Sequence, residues 1–391
     1  MRVEEVRSEV RIWLATNVPP DWRKRQRGDD ISSFVAMQRE WLDRLVAGGY
    51  ATPHWPAGWP GGGRPLDEQV AIFEEIARAD APRMSLFFVS LYHAAMTLHE
   101  WGTEAQKARH LPAILKGEVW CQGFSEPNAG SDLASLKTRA ERRGDHYVVN
   151  GQKIWSTLGQ FADWCLLLVR TDSSGPKQAG ISFLLLDMKS KGVEVRPIRQ
   201  ITGDEEFAEL FLTDVEIPVE NLVGAENEGW RVAQTTLASE RGLTLVELSQ
   251  RLARALQRLI DACKEGKAFS TVDVEWRRRM VELSSRIEGL CAMISETNER
   301  RMAGHDRPGD ASIAKLAYTR ILRDFINLGL RVEGVTAQRW SPYVMGAGFE
   351  TGNWMFDLMN SYQWSVAGGS NEIQRTLVAE RVLNMPREKL Q

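Results

Sequence analysis

The sequence predicts an α+β chain in three parts. These are an N-terminal helical domain (residues 1–117), a central small β-barrel or sandwich (118–224) and a C-terminal helical bundle (225–391). Three observations predict it. Apolar residues recur at helical spacing in the first and last parts. The middle part switches to short apolar or alternating runs broken by glycine turns. A chain of 391 residues is also too long for one simple core.

In the first part, Val6, Val10 and Trp13-Leu14 share a helical face, as do Phe34, Met37, Trp41 and Leu45. Pro53 to Pro65 is a loop by composition, and no Gly-Lys-Ser/Thr follows its glycines, so it is not a phosphate loop. Leu66 to Ala79 is amphipathic, with Val70, Phe73, Ile76 and Ala77 together. Ser85 to Trp101 is apolar all round and so reads as buried. In the middle part the strand candidates are Tyr147-Val-Val, Trp164–Val169, Ile181–Leu186, Val193–Arg196 and Glu209–Phe211. Turns are expected at Arg143-Gly-Asp, Asn150-Gly, Ser174-Gly-Pro and Lys191-Gly. Helices return with Trp230–Cys263, which reads as one long helix with Gly242 as a weak point, then Trp276–Met302 and Ser312–Val332. An irregular stretch over Thr336–Gly352 precedes a final helical region.

Composition narrows the function. With 43% apolar and 26% charged residues and a net charge of −3, the chain has no field for nucleic acid. Arg23-Lys24-Arg25 reads as a solvated helix end. No apolar run approaches the roughly 18 residues of a membrane span, and the N-terminus lacks the apolar core of a signal peptide. Cys121, Cys165, Cys263 and Cys291 lie far apart, against both a metal site and a disulfide framework, which fits a cytoplasmic setting.

Two stretches carry chemistry. Trp120 to Thr138 contains a run, Ser125 to Asp132, that is small, polar or turn-forming and exposes backbone N–H groups and hydroxyls. A surface loop would have the same composition. Asn150-Gly-Gln-Lys-Ile-Trp-Ser-Thr157 reads as a hairpin turn followed by a large aromatic surface and two hydroxyls. Together they offer a flat heteroaromatic ring one apolar wall and hydrogen bonds at its polar edge.

These residues also carry a resemblance. Phe124-Ser-Glu-Pro-Asn-Ala-Gly-Ser-Asp132, Asn150 to Thr157, Glu240-Arg241 and Gly368-Gly-Ser-Asn-Glu-Ile-Gln-Arg375 resemble the acyl-CoA dehydrogenases over essentially the whole chain, and among them an actinobacterial branch that includes steroid-degrading members. The resemblance implies FAD, an acyl-CoA substrate, α,β-dehydrogenation and electron transfer to an electron-transfer flavoprotein. By position it implies that Gln122, Phe124, Ser125, Trp155, Ser156 and Thr157 line the flavin. Gly130 and Ser131 would lie where flavin and CoA meet. Ser370 and Glu372 would approach the flavin from the C-terminal side, with Gly369 beside the thioester.

The sequence departs from the family in two places. Most members carry their base as a Glu just before the glycine of the C-terminal motif, where this chain has Gly368. A minority take it from a Glu-Arg pair on the first C-terminal helix, which here is Glu240-Arg241. Glu247 is the alternative, two helical turns on and roughly 10 Å further along. Arg241 would steady the base or the acyl-CoA. Secondly, the Arg-x-x-Phe-Gly and Gln-x-x-Gly-Gly segments by which the family's homotetramers reach a neighbour's flavin have no match in Lys264–Val272 or Val332–Trp340. That implies an α2β2 heterotetramer with a related subunit, a diverged homo-oligomer being the alternative. Gly368 leaves room for a branched or bulky acyl group, steroid-derived ones included. A non-catalytic partner subunit and an oxygen-using acyl-CoA oxidase remain as other readings. No Gly-x-Ser-x-Gly supports a hydrolase, and nothing supports zinc.

Overall fold

The computed structural model describes residues 2–26, 31–239, 243–265, 274–339 and 353–386. Helices form where the apolar spacing predicts. α1 (Arg2–Asn17) buries Val6, Val10 and Leu14, and α3 (Ile31–Gly48) buries Phe34, Met37, Trp41 and Leu45. A five-residue turn of helix, α2 (Trp22–Gln26), links them. α4 (Leu66–Arg78) packs Ile72 and Ile76 into the same core and turns Glu74 and Glu75 towards α1. Arg7 reaches Glu74 at 2.6 Å and Arg11 reaches Glu75 at 2.7 Å. The apolar run after Ser85 is buried, and its middle, Val89–Ala94, is π-helical before α5 (Ala95–Trp101) continues. Such a widened turn is frequent at functional sites. α6 (Glu104–Leu115) starts on a reciprocal cap between Thr103 and Gln106.

The central part is one seven-stranded sheet: β1 (Trp120–Gly123), β2 (Arg139–Arg143), β3 (His146–Thr157), β4 (Trp164–Arg170), β5 (Ile181–Asp187), β6 (Val193–Ile198) and β7 (Phe207–Pro218). Their order is β1-β4-β2-β3-β7-β6, with β5 on the other side of β4. β4 and β5 read as unbroken apolar runs because both of their faces are covered. Leu166, Leu168, Phe183 and Leu185 join the helical core, while Cys165, Leu167, Leu184 and Leu186 fill a second core.

Asn150-Gly151 is not the hairpin turn that its sequence suggests. The hairpin lies at Gly144-Asp145, between β2 and β3, and Asn150-Gly151 sits inside β3 at a register shift against β7. The Asn150 side chain exchanges two hydrogen bonds with Asp214, at 2.9 and 3.0 Å, which serve the broken ladder. A Cβ on Gly151 would stand 2.4 Å from the Thr138 hydroxyl, so glycine is needed for close approach.

Helices resume with α7 (Gly229–Ser239) and α8 (Leu243–Lys264). The single helix expected over Trp230–Cys263 is therefore described as two, and Gly242 falls outside the described residues. α9 (Val274–Met302), α10 (Asp310–Glu333), α11 (Trp354–Val366) and α12 (Asn371–Arg381) complete the bundle. α10 carries its centre through Tyr318, Leu322 and Phe325, and Gly329 leaves the space that Trp354 fills. Among the described residues no helix is long and apolar enough to cross a membrane, and no cluster of three potential ligands could hold a metal. All four cysteines are free.

A buried ion pair joins the two signature stretches. Lys153 on β3 is fully enclosed, and its Nζ donates to the Phe124 carbonyl at 3.1 Å and to Glu126 at 2.9 Å. The Glu126 carboxylate also accepts from the backbone N–H groups of Lys137 (2.7 Å) and Thr138 (2.8 Å). Burial raises the proton affinity of Glu126, but Lys153 and these donors outweigh it and hold the carboxyl below its ordinary range. Glu126 therefore contributes stability above the unfolded carboxylate range, and loses it as pH falls through its own depressed pKa. Replacing Lys153 by Met strands a buried carboxylate. Expected is a loss of about 3–5 kcal/mol, measured by chemical unfolding at pH 7. An unchanged midpoint would rule the clamp out.

Candidate active site

A cavity of about 170 Å³ opens where the three parts meet. Phe73 of α4, Phe88 and Tyr92 around the π-helical turn, and Trp364 of α11 give it aromatic walls. Thr157 ends β3 at its edge, beside Glu206 and Phe207 where β7 begins. Glu247 enters from α8, and Ala367 from the segment before α12. Tyr92 stacks on His54 with ring centroids 4.8 Å apart. Burial pushes the His54 ring down to about 4, so it stays neutral and apolar in behaviour.

The sequence-predicted residues fall in several places. Thr157 and Glu247 line the cavity. Gln122 lies within β1, and Phe124 and Ser125 follow its end, where the Ser125 carbonyl accepts the Ile154 N–H at 2.9 Å and Phe124 packs edge-on against Phe183. Trp155 takes a positive φ of 64°, stays 54% exposed and meets Phe207 edge-on at 5.9 Å. Its neighbour Ser156 is fully buried. Gly130, Ser131, Gly369 and Glu372 are exposed. Ser370 caps α12 by accepting from the Ile373 N–H, while Glu372 pairs with Arg375 at 3.2 Å. Glu240 and Arg241 lie outside the described residues.

Two buried polar atoms along this edge have no partner among the described residues: the Gln122 Nε2 and the Ser156 Oγ. Gly130 has open space where a side chain would stand. Unsatisfied donors beside an open glycine turn and an indole suit the polar edge and flat face of an isoalloxazine, so the residues present fit the flavin.

The electrostatics of the cavity come from four side chains, of which only Glu247 is among the sequence candidates. Glu247 accepts from the Arg251 Nε at 2.7 Å, and the Arg83 Nε lies 3.6 Å from the same oxygen. Burial pushes the Glu247 carboxyl up, but Arg251 and Arg83 together hold it below its ordinary range. Arg251 is buried and also donates to the Ala81 carbonyl at 2.8 Å. Among the described residues Glu206 has no such cation at contact. Burial and the nearby Asp204 push it up to about 7, against a weaker opposing effect of Arg83. The i, i+4 spacing of Glu247 and Arg251 is legible on a helix. Arg83 and Glu206 sit in loops at the edges of elements, where periodicity carries no signal.

Comparison with known proteins agrees with this geometry. Models of the N-terminal, middle and C-terminal domains of acyl-CoA dehydrogenases match residues 2–118, 121–215 and 227–383. The acyl-CoA dehydrogenase IpdE1 of Mycolicibacterium smegmatis is 36% identical, with 99% of each chain covered. The IpdE1 of Mycobacterium tuberculosis is 37% identical, over 99% of this chain and 98% of its own. Among solved structures, one titled the Tcur3481-Tcur3483 steroid ACAD superposes with a TM-score of 0.84 at 29% identity, covering 99% of this chain and 98% of that one. The ChsE4-ChsE5 complex from Mycobacterium tuberculosis gives 0.83 at 30%, with 99% and 98% covered. Helical, β and helical parts, the order of the signature stretches and three consecutive domain matches lead to one assignment: the chain belongs to the acyl-CoA dehydrogenase family.

Proposed function

We propose that the chain catalyses the FAD-dependent α,β-dehydrogenation of a bulky acyl-CoA thioester, with electrons leaving to an electron-transfer flavoprotein. The observation that carries this reading is the meeting, at one cavity, of Thr157 from the flavin signature with a carboxylate from the first C-terminal helices. FAD, when bound, supplies the hydride acceptor. The chain's own part is to place the acyl group, exclude water and take the Cα proton. Gln122, Phe124, Ser125, Trp155, Ser156 and Thr157 would hold the ring, with Gly130 and Ser131 towards the CoA. Ser370, Glu372 and Gly369 would close the site from the C-terminal side, and Arg241 would steady the base or the thioester.

The base is assigned to Glu240. An α-proton of a thioester is a weak acid, so its acceptor must be a basic carboxylate in a desolvated site. Glu247 is desolvated, but two guanidinium groups lower its proton affinity. That pairing suits a charge fixed in the wall better than a base, and Glu247 is kept as the second reading because it stands in the cavity. The names of the similar structures, one a steroid enzyme and both pairs of chains, support a bulky, polycyclic acyl group and an α2β2 assembly with a related subunit.

The test is the visible spectrum of the flavin under anaerobic addition of acyl-CoAs. Bleaching by a branched or polycyclic thioester is expected, with much weaker response to short straight-chain ones. Glu240→Gln should keep the flavin colour and slow bleaching about 10²–10⁴-fold, while Glu247→Gln should cost less. The reverse ranking would move the base to Glu247. The assembly is checked separately by native mass measurement after co-expression with a related subunit. A fully flavinated, active homo-oligomer of this chain alone would defeat the heteromer.

A further inference from the structure

The cavity has a polar strip that the proton abstraction does not use. Arg83 comes from the loop after α4, Glu206 from the turn before β7, and Glu247 from α8. Glu247 is matched by Arg251. Arg83 lies 3.6 Å from the same carboxylate, too far for a hydrogen bond, and Glu206 has no cation at contact among the described residues. The Arg83 Nε is buried with no hydrogen-bond partner among the described residues. Its guanidinium is held over Trp364 at 5.6 Å, against an apolar face. The Glu206 carboxyl makes no hydrogen bond to any described side chain, and only its backbone carbonyl is used, by the Leu158 N–H at 2.7 Å. A buried donor such as the Arg83 Nε costs free energy until a ligand meets it, and the half-buried Glu206 carboxyl stands beside it in the same cavity. Pockets that recognise one feature of a mostly apolar ligand look like this: aromatic walls with a few convergent polar groups.

We infer that Arg83 and Glu206 read an oxygen acceptor, a ketone or a carboxylate, on the acyl group away from the thioester. The inference deepens the dehydrogenase reading and rests on it. Arg83 can only donate. Glu206 donates when it carries its proton, which its surroundings favour: it faces Asp204 on its own turn, while Arg83 is the cation opposing it, and Glu247 and Arg251 are paired with each other. Both side chains line the one cavity, so one acceptor on a bound acyl group is within the reach of both donors. A plain hydrocarbon in the same place would leave both unmet, and a site built to hydrogen-bond one group discriminates strongly against the analogue lacking it.

The experiment compares two CoA thioesters of one bulky carbon skeleton, with and without a ring ketone, and a third carrying a carboxylate there. Flavin bleaching gives kcat/KM, and calorimetric titration gives Kd on the flavin-loaded protein with any partner subunit present. The wild type should favour an oxygenated thioester by about 10- to 100-fold. Glu206→Leu and Arg83→Met should bring that ratio close to one, and Glu206→Gln, which still donates, should retain most of it. Equal use of all three thioesters by the wild type, or an undiminished ratio in Glu206→Leu, overturns the inference. If the oxygenated thioester binds preferentially yet bleaches no flavin, the dehydrogenase reading fails and the specificity stands. If no thioester binds, both fall. Whether the ketone or the carboxylate is preferred distinguishes the two acceptors.

Discussion

The fold of the site depends on one ion pair that costs a great deal to bury. Lys153 and Glu126 are both withdrawn from water, and burial lowers the proton affinity of the lysine more than the carboxylate raises it. Such a pair adds little to stability by itself, because desolvation consumes most of the attraction. Its effect is on geometry. Lys153 also holds the Phe124 carbonyl, and Glu126 also holds two successive N–H groups at 137 and 138. One end of the 124–138 loop is thereby fixed to the middle of β3, and the Ile154 N–H to Ser125 carbonyl bond follows in register. Trp155 is the next residue, and its positive φ of 64° is a strain that persists because the strand on either side is already pinned. The flat-ring edge of the site is thus made rigid by a charge pair that never touches it.

The cavity beyond that edge separates two carboxyls by their environments. Glu247 sits between guanidinium groups and stays ionised, whereas Glu206 sits beside Asp204 and burial raises it to about 7. Pairs of titratable groups pushed apart in this way divide roles between fixed charge and exchangeable proton. Arg251 binds Glu247 to the loop after α4 through the Ala81 carbonyl, so the charge is part of the wall that joins the helical parts.

Much of this was legible in the sequence, for a physical reason in each case. α10 and α4 repeat their apolar residues every three or four positions because one face is buried, and β4 and β5 lack alternation because both faces are. The signature stretches stood out because few residue types can form an exposed polar turn beside an indole. Asn150-Gly151 misled because the same dipeptide serves a two-residue hairpin and a bulge, and only the approach of Thr138 separates them. Strands β1 and β2 were not legible. β1 is four residues long, and β2, Arg139–Arg143, carries three arginines on an exposed edge of the pattern. Arg83 and Glu206 escaped because their meaning is the cavity, which sequence order does not display.

The C-terminal loop at Gly368-Gly369 is built around its two glycines. Gly368 and Gly369 have φ of 64° and 86°, the left-handed region that side chains disfavour. Any other residue there would cost about 1–2 kcal/mol in backbone strain. That conformation is held from outside: Lys315 donates to the carbonyls of Ala367 and Gly369, and the Gln374 amide reaches the carbonyls of 368 and 369 at 3.0 and 3.2 Å. A Cβ on Gly369 would also stand 2.8 Å from that amide. The loop is therefore shaped for a pair of glycines, and restoring a carboxylate at 368 by substitution would work against both the backbone and its supports. The two glycines and the side chains that hold their carbonyls thus act as one unit, in which the backbone conformation and its outside supports each require the other.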